Sequence, residues 1–176
     1  MIINTNVPKS VYDALHKGQI VKAKTNFDNP YSPKAYKLLS EVSCMKNFFF
    51  GIVSASEDRE DLEIHLTGTN PNNSTVLTLD IPEELLFIHD FYSFAGLIYD
   101  CEDYDNLKLP DETLRDYANG LHIIEKESTV QVIFEEIRPE WLRSAETLQA
   151  FDFHDTPKSL NAQKIWQEDS RFKKET

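Results

Sequence analysis

The stretch from Thr75 to Tyr99, TVLTLDIPEELLFIHDFYSFAGLIY, constrains this chain more than any other, because a β-prone run breaks at Ile81-Pro82 and gives way to a long apolar segment. Proline cannot donate to a central ladder, so a strand should end there, and Pro82-Glu83-Glu84-Leu85 fits one helical turn with acid near its positive end. Leu86-Phe87-Ile88 can then re-extend. Asp90 is an acceptable cap for a helix through Tyr99, in which Phe91, Phe94, Ala95 and Ile98 recur at spacings of three and four. These apolar residues mark the expected core, whereas the polar ones form no reaction signature.

Before this stretch, Met1 to Asn6 reads as a strand. A helix carrying Val11 and Leu15 follows and can close at Gly18, and Gln19 to Thr25 then alternates as a strand. Asn26 to Tyr31 has loop residues. Ser32-Pro33 supplies a cap and a first-turn proline for a helix from Pro33 to about Lys46, with Ala35, Leu38, Leu39, Val42 and Met45 on one stripe. Phe48 to Val53 is a continuous apolar run suited to a strand covered on both faces. Leu62 to Thr67 alternates, and a turn-rich segment separates it from Thr75 to Ile81, so these two look like antiparallel neighbours. Beyond the opening stretch, Pro110-Asp111 and Asn119-Gly120 bracket a short helix with Leu114 and Tyr117, Leu121 to Lys126 is ambiguous, and Thr129 to Ile137 is a strand by its β-branched content.

Interleaved helices and strands, with neighbouring strands that look antiparallel, predict an α+β fold with a mixed, largely antiparallel sheet flanked by helices. A chain of 176 residues fits one domain. That domain is expected over 1–150, with 151–176 a polar C-terminal extension holding one possible helix around Leu160 to Trp166. The opening MIINTNVPKS lacks the features of a signal peptide, and no apolar run has the length of a membrane span. A cytoplasmic location is therefore expected. Cys44 and Cys101, far apart and outside any C-x-x-C, indicate neither a zinc site nor a disulfide framework.

The 30 acidic against 18 basic residues give a formal charge of −12, a field that repels phosphate backbones and anionic lipid. Direct nucleic-acid binding and membrane binding are thus disfavoured. The acidic runs Glu57-Asp58-Arg59-Glu60-Asp61 and Asp100 to Asp105 lack the spacing of a calcium loop, and no metal site is expected. His89-Asp90 and His154-Asp155 invite an acid-base pairing. Adjacent residues on a strand point to opposite faces, however, and Asp90 is better placed as a cap. No G-x-S-x-G, H-E-x-x-H or glycine-rich phosphate loop is present.

The opening NTNVPKSVYDALHKGQI, the SPKAYKLL helix, the LDIPEELLFIHDF segment and the closing VQVIFEEIRPEWL together resemble a family of uncharacterised bacterial and phage proteins known as a domain of unknown function, over about Met1 to Leu142. In layout the chain is also similar to ADP-ribosyltransferase-like proteins, which open with strand, helix, glycine and second strand and close on a strand bearing a catalytic glutamate. That similarity implies NAD as cofactor and Glu135 or Glu136 as the group stabilising an oxocarbenium-like transition state. The residues depart from it. Ile2-Ile3-Asn4-Thr5 lacks the His or Arg that holds NAD, and Gln131-Val132-Ile133 has Ile where a Q-x-E pattern places the glutamate.

With no complete catalytic constellation, the preferred expectation is a non-enzymatic acidic binding protein, without cofactor, that occupies a basic, nucleic-acid-binding surface on a protein partner. The phage resemblance extends this to an inhibitor of host defence, acting for example as a nucleic-acid mimic on a nucleic-acid-guided nuclease. The expected partner-binding residues are Glu57, Asp58, Glu60, Asp61, Asp100, Glu102, Asp103, Tyr104 and Asp105, with Tyr104 as aromatic anchor. The alternative is the NAD-using enzyme.

Overall fold

Alternation along the first strand sets the two faces of the molecule. In this computed structural model, which describes residues 1–24, 32–53, 74–102, 108–124 and 129–147, β1 (Ile2–Pro8) lies inside a sheet and is buried over most of its length. Among the described residues six strands form that sheet, in the order β5-β6-β3-β1-β4-β8. These are β3 (Phe49–Val53), β4 (Ser74–Asp80), β5 (Phe87–Asp90), β6 (Val130–Phe134) and β8 (Leu142–Thr147) with β1, and every neighbouring pair is antiparallel. A two-residue ribbon joins β2 (Val21–Lys22) to β7 (Glu136–Ile137). The α+β class expected from sequence is the one observed.

One face is mainly aliphatic. Ile3, Val7, Leu77, Leu79, Val130 and Val132 pack there with Leu15 of α1 (Lys9–His16). Gly51 sits at the centre of this packing, where an added Cβ would lie 2.7 Å from Ile3 Cδ1 and 3.2 Å from side-chain atoms of Phe134 and Val132. The strands close up there because position 51 has no side chain. The opposite face is covered by α2 (Pro33–Ser43), α3 (Phe91–Glu102) and α4 (Asp111–Asn119), whose Leu39, Leu97 and Leu114 pack on Phe48 and Ile133. Tyr36 knits this layer together, with ring centroids 5.7 Å from Phe50 and 5.6 Å from Phe94, both edge-on as aromatic quadrupoles favour.

Under the same helices runs a transverse rung that is largely polar: His89 opposes Gln131, Gln131 opposes Ile52, Ile52 opposes Asn4, and Asn4 opposes Thr78. Thr78 donates its hydroxyl to Asn4 Oδ1 at 3.0 Å. Such a row fixes register, since a one-residue slip would turn its amides onto the aliphatic face.

The caps follow the expected chemistry. Ser32 accepts from the Ala35 N–H at 3.4 Å, with Pro33 in the first turn, and Asp90 Oδ1 accepts from Ser93 N–H at 2.6 Å. His89 is fully buried, its Nδ1 3.2 Å from the Asp90 carbonyl oxygen and its ring edge-on to Phe94. Helix α2 stops at Ser43, short of the expected Lys46, because Cys44 adopts the left-handed conformation at φ 58°.

Other expectations need correction. The strand expected over Gln19 to Thr25 is reduced to Val21–Lys22 among the described residues, limited by a two-residue partner. The strand expected over Thr129 to Ile137 divides at Glu135, so β6 belongs to the main sheet and β7 to the ribbon. Strand β8 was not anticipated. The strand expected at Leu62–Thr67, the loop at Asn26–Tyr31, the pair His154-Asp155, the helix around Leu160–Trp166 and the 151–176 extension all lie outside the described residues.

Candidate functional site

Carboxylates gather at both ends of α2. At its N-terminal end Lys34 Nζ lies 2.7 Å from Asp111 Oδ1, tying α2 to the first turn of α4. The end of α3 comes to the same place. Burial pushes the half-buried Cys101 thiol above its ordinary pKa, Lys34 opposes, and the negative charges of Asp100, Glu102 and Asp111 add to the rise. The Asp111 carboxyl is held below its usual range by the Lys34 hydrogen bond. Tyr117 of α4 is raised by burial, then by Asp100 and Asp90. Helices α3 and α4 approach closely at Gly96, where an added Cβ would collide with the Tyr117 hydroxyl. Along the outside of α3 the exposed residues Tyr92, Ala95, Tyr99 and Glu102 recur at three and four, with Tyr92 55% and Tyr99 44% exposed.

Of the partner-binding residues expected from sequence, Asp100 and Glu102 belong to this face, whereas Glu57, Asp58, Glu60, Asp61, Asp103, Tyr104 and Asp105 lie outside the described residues. Asp111, Tyr92 and Tyr99 were missed. The signal for Tyr92 and Tyr99 was their seven-residue separation, which places both on one helical stripe.

At the other end of α2 is a groove of about 540 Å³. Ser43, Cys44 and Met45 reach it from the helix end, Lys22 and Ala23 from the ribbon, and Glu84 and Leu85 from the single 3-10 turn at Glu83–Leu85. Asn47, Phe134, Glu135, Glu136 and Trp141 complete the lining. The break between β6 and β7 creates it: the Glu135 carbonyl accepts from Ala23 N–H at 2.8 Å, which turns the chain into the ribbon and leaves the Glu135 side chain exposed. Glu136 is engaged. Its Oε1 accepts from Arg138 Nε and is paired with Arg138 NH2, both at 2.6 Å, while the guanidinium lies 5.3 Å from the Trp141 ring centroid. The structure thus brings the two glutamates of the enzyme expectation to one groove, with one of them already ion-paired.

Among the described residues there is no cluster of three or more His, Cys, Asp or Glu side chains arranged to hold a metal, and no helix is long and apolar enough to cross a membrane. No family model, curated protein or solved structure matches the chain, so its functional reading rests on its own residues.

Proposed function

We propose that this chain is a non-enzymatic binding protein that docks the acidic face of α3 and α4 on a basic surface of a protein partner. The carrying observation is the convergence of Asp100, Glu102 and Asp111 on the surroundings of Cys101, at the end of a helix whose outer stripe carries the exposed rings of Tyr92 and Tyr99. Carboxylates steer the encounter and the tyrosines supply rigid amphipathic area for the contact. A protein surface that ordinarily holds phosphate is the partner class that fits, and a host defence nuclease belongs to that class. Affinity capture from host lysate at low and raised salt, repeated with an Asp100→Asn/Glu102→Gln/Asp111→Asn variant, tests this. A specific partner should be enriched at low salt and lost in the variant; equal capture by both proteins would remove the acidic face from the interaction.

A second reading, the NAD-using transferase, is favoured by one observation, that Glu135 and Glu136 line the same groove. Calorimetry with NAD at millimolar concentration and a search for transferred ADP-ribose decide it, absence of both heat and transfer ending this reading.

A further inference from the structure

We propose that the groove at the C-terminal end of α2 is a binding site for an arginine side chain presented by a protein segment. Its volume of about 540 Å³ lies within the range of roughly 300–1,000 Å³ usual for specific ligand sites. Its electrostatics select the ligand's sign. Glu84 and Glu135 are both exposed there, Lys22 is the opposing cation of the lining, Arg138 beside it is already paired with Glu136, and the negative pole of the 11-residue α2 adds its partial charge. A pyrophosphate would meet repulsion at this end of a helix, whereas a cation is stabilised.

The walls select the shape. Met45 and Leu85 offer apolar surface along which an aliphatic stem can lie, and Leu85 is 42% exposed. The chain itself seats a guanidinium beside this groove: Arg138 is held by Glu136 and stacked on Trp141, both groove residues. A planar group with five donors matches a site that offers carboxylates from two different elements better than a point charge does. Glu84 is carried by the 3-10 turn and Glu135 by the break between β6 and β7.

This site is distinct from the acidic face of α3 and α4. The two lie at opposite ends of α2, roughly 16 Å apart along its axis at 1.5 Å per residue. Either can therefore fail alone.

The test uses the full chain and three short peptides identical except for a central arginine, lysine or citrulline, the last being the neutral isostere. Binding is read by calorimetry and by slowed alkylation of Cys44, which lines the groove. The arginine peptide should bind about tenfold more tightly than the citrulline peptide and more tightly than the lysine peptide, and should protect Cys44 but not Cys101. Glu84→Gln/Glu135→Gln should weaken it by about tenfold, and Lys22→Gln should strengthen it by about threefold. Both changes are at exposed positions, so folding is preserved. Asp100→Asn/Glu102→Gln should leave peptide binding unchanged. Equal binding of arginine and citrulline peptides, absence of binding at millimolar peptide, unchanged affinity in Glu84→Gln/Glu135→Gln, or protection of Cys44 by NAD in place of the peptide would each overturn the assignment.

Discussion

The two ends of α2 hold similar charges in different shapes. At the N-terminal end Asp100, Glu102 and Asp111 stand on the convex surface of two helices, and at the C-terminal end Glu84 and Glu135 line a concavity. A convex acidic face acts at long range and suits recognition by field. A concave one can desolvate a single group and suits recognition by fit. Each end also contains one cysteine, Cys101 at the first and Cys44 at the second, so their chemistry reports on the difference directly.

The largest effect should come from the element both ends share. Leu39 of α2 is fully buried, and Leu39→Ala should cost about 2–5 kcal/mol in denaturant unfolding through lost transfer energy and a cavity. Leu79→Ala, on the opposite face of the sheet, should fall in the same range, and the comparison would break if both cost less than about 0.5 kcal/mol, as surface changes do.

A smaller effect separates the two ends. Neutralising Asp100, Glu102 and Asp111 should slow association with the captured partner by about tenfold at low salt, because charge acts mainly on the encounter rate, while Glu84→Gln/Glu135→Gln should leave that rate within about twofold. A reversed pattern, with the groove variant slowed and the helical variant unchanged, would exchange the roles assigned to the two ends.

The smallest effect lies in the thiols. Cys101 is raised chiefly by burial and then by three carboxylates, so below the ordinary thiol value its neutral form is fully compatible with the fold. The stability linked to that neutral form is lost as pH rises through the raised folded value, because the unfolded chain ionises first. Unfolding followed at alkaline pH should therefore show a loss in the wild type that Cys101→Ser lacks. At about pH 8 the exposed Cys44 should alkylate about tenfold faster than Cys101, and Asp100→Asn/Glu102→Gln should narrow the gap. Equal rates at both cysteines would contradict the electrostatic difference between the ends.

Much of the scaffold was legible because local chemistry and tertiary packing agree. Ser32-Pro33, Asp90 and Pro110 mark helix starts by their own side chains, and the period of Ala35, Leu38 and Leu39 identifies the buried face of α2. Strand β8 was illegible since Arg143, Ser144 and Glu146 at an exposed sheet edge carry no apolar alternation, and it is ladder pairing to β4 that makes it a strand. The polar rung was hidden for a related reason: Asn4 and Gln131 are poor strand residues, and their burial depends on neighbours distant in sequence. Of the sites, Asp100 and Glu102 could be read as a charge run, but Asp111 joins them through α3–α4 packing. The groove could not be read at all, because the turn at Glu135 arises from Ala23, more than a hundred residues earlier.

Docking through the acidic helical face is tested most directly by the salt dependence of the association rate for the captured partner, measured by stopped flow for the wild type and for Asp100→Asn/Glu102→Gln/Asp111→Asn. The wild-type rate should fall by about tenfold as salt rises from about 0.05 to 0.5 M, where screening shortens the field to a few ångströms, and the variant should start lower with a much flatter slope. Identical rates and identical salt slopes for the two proteins would contradict docking through this face.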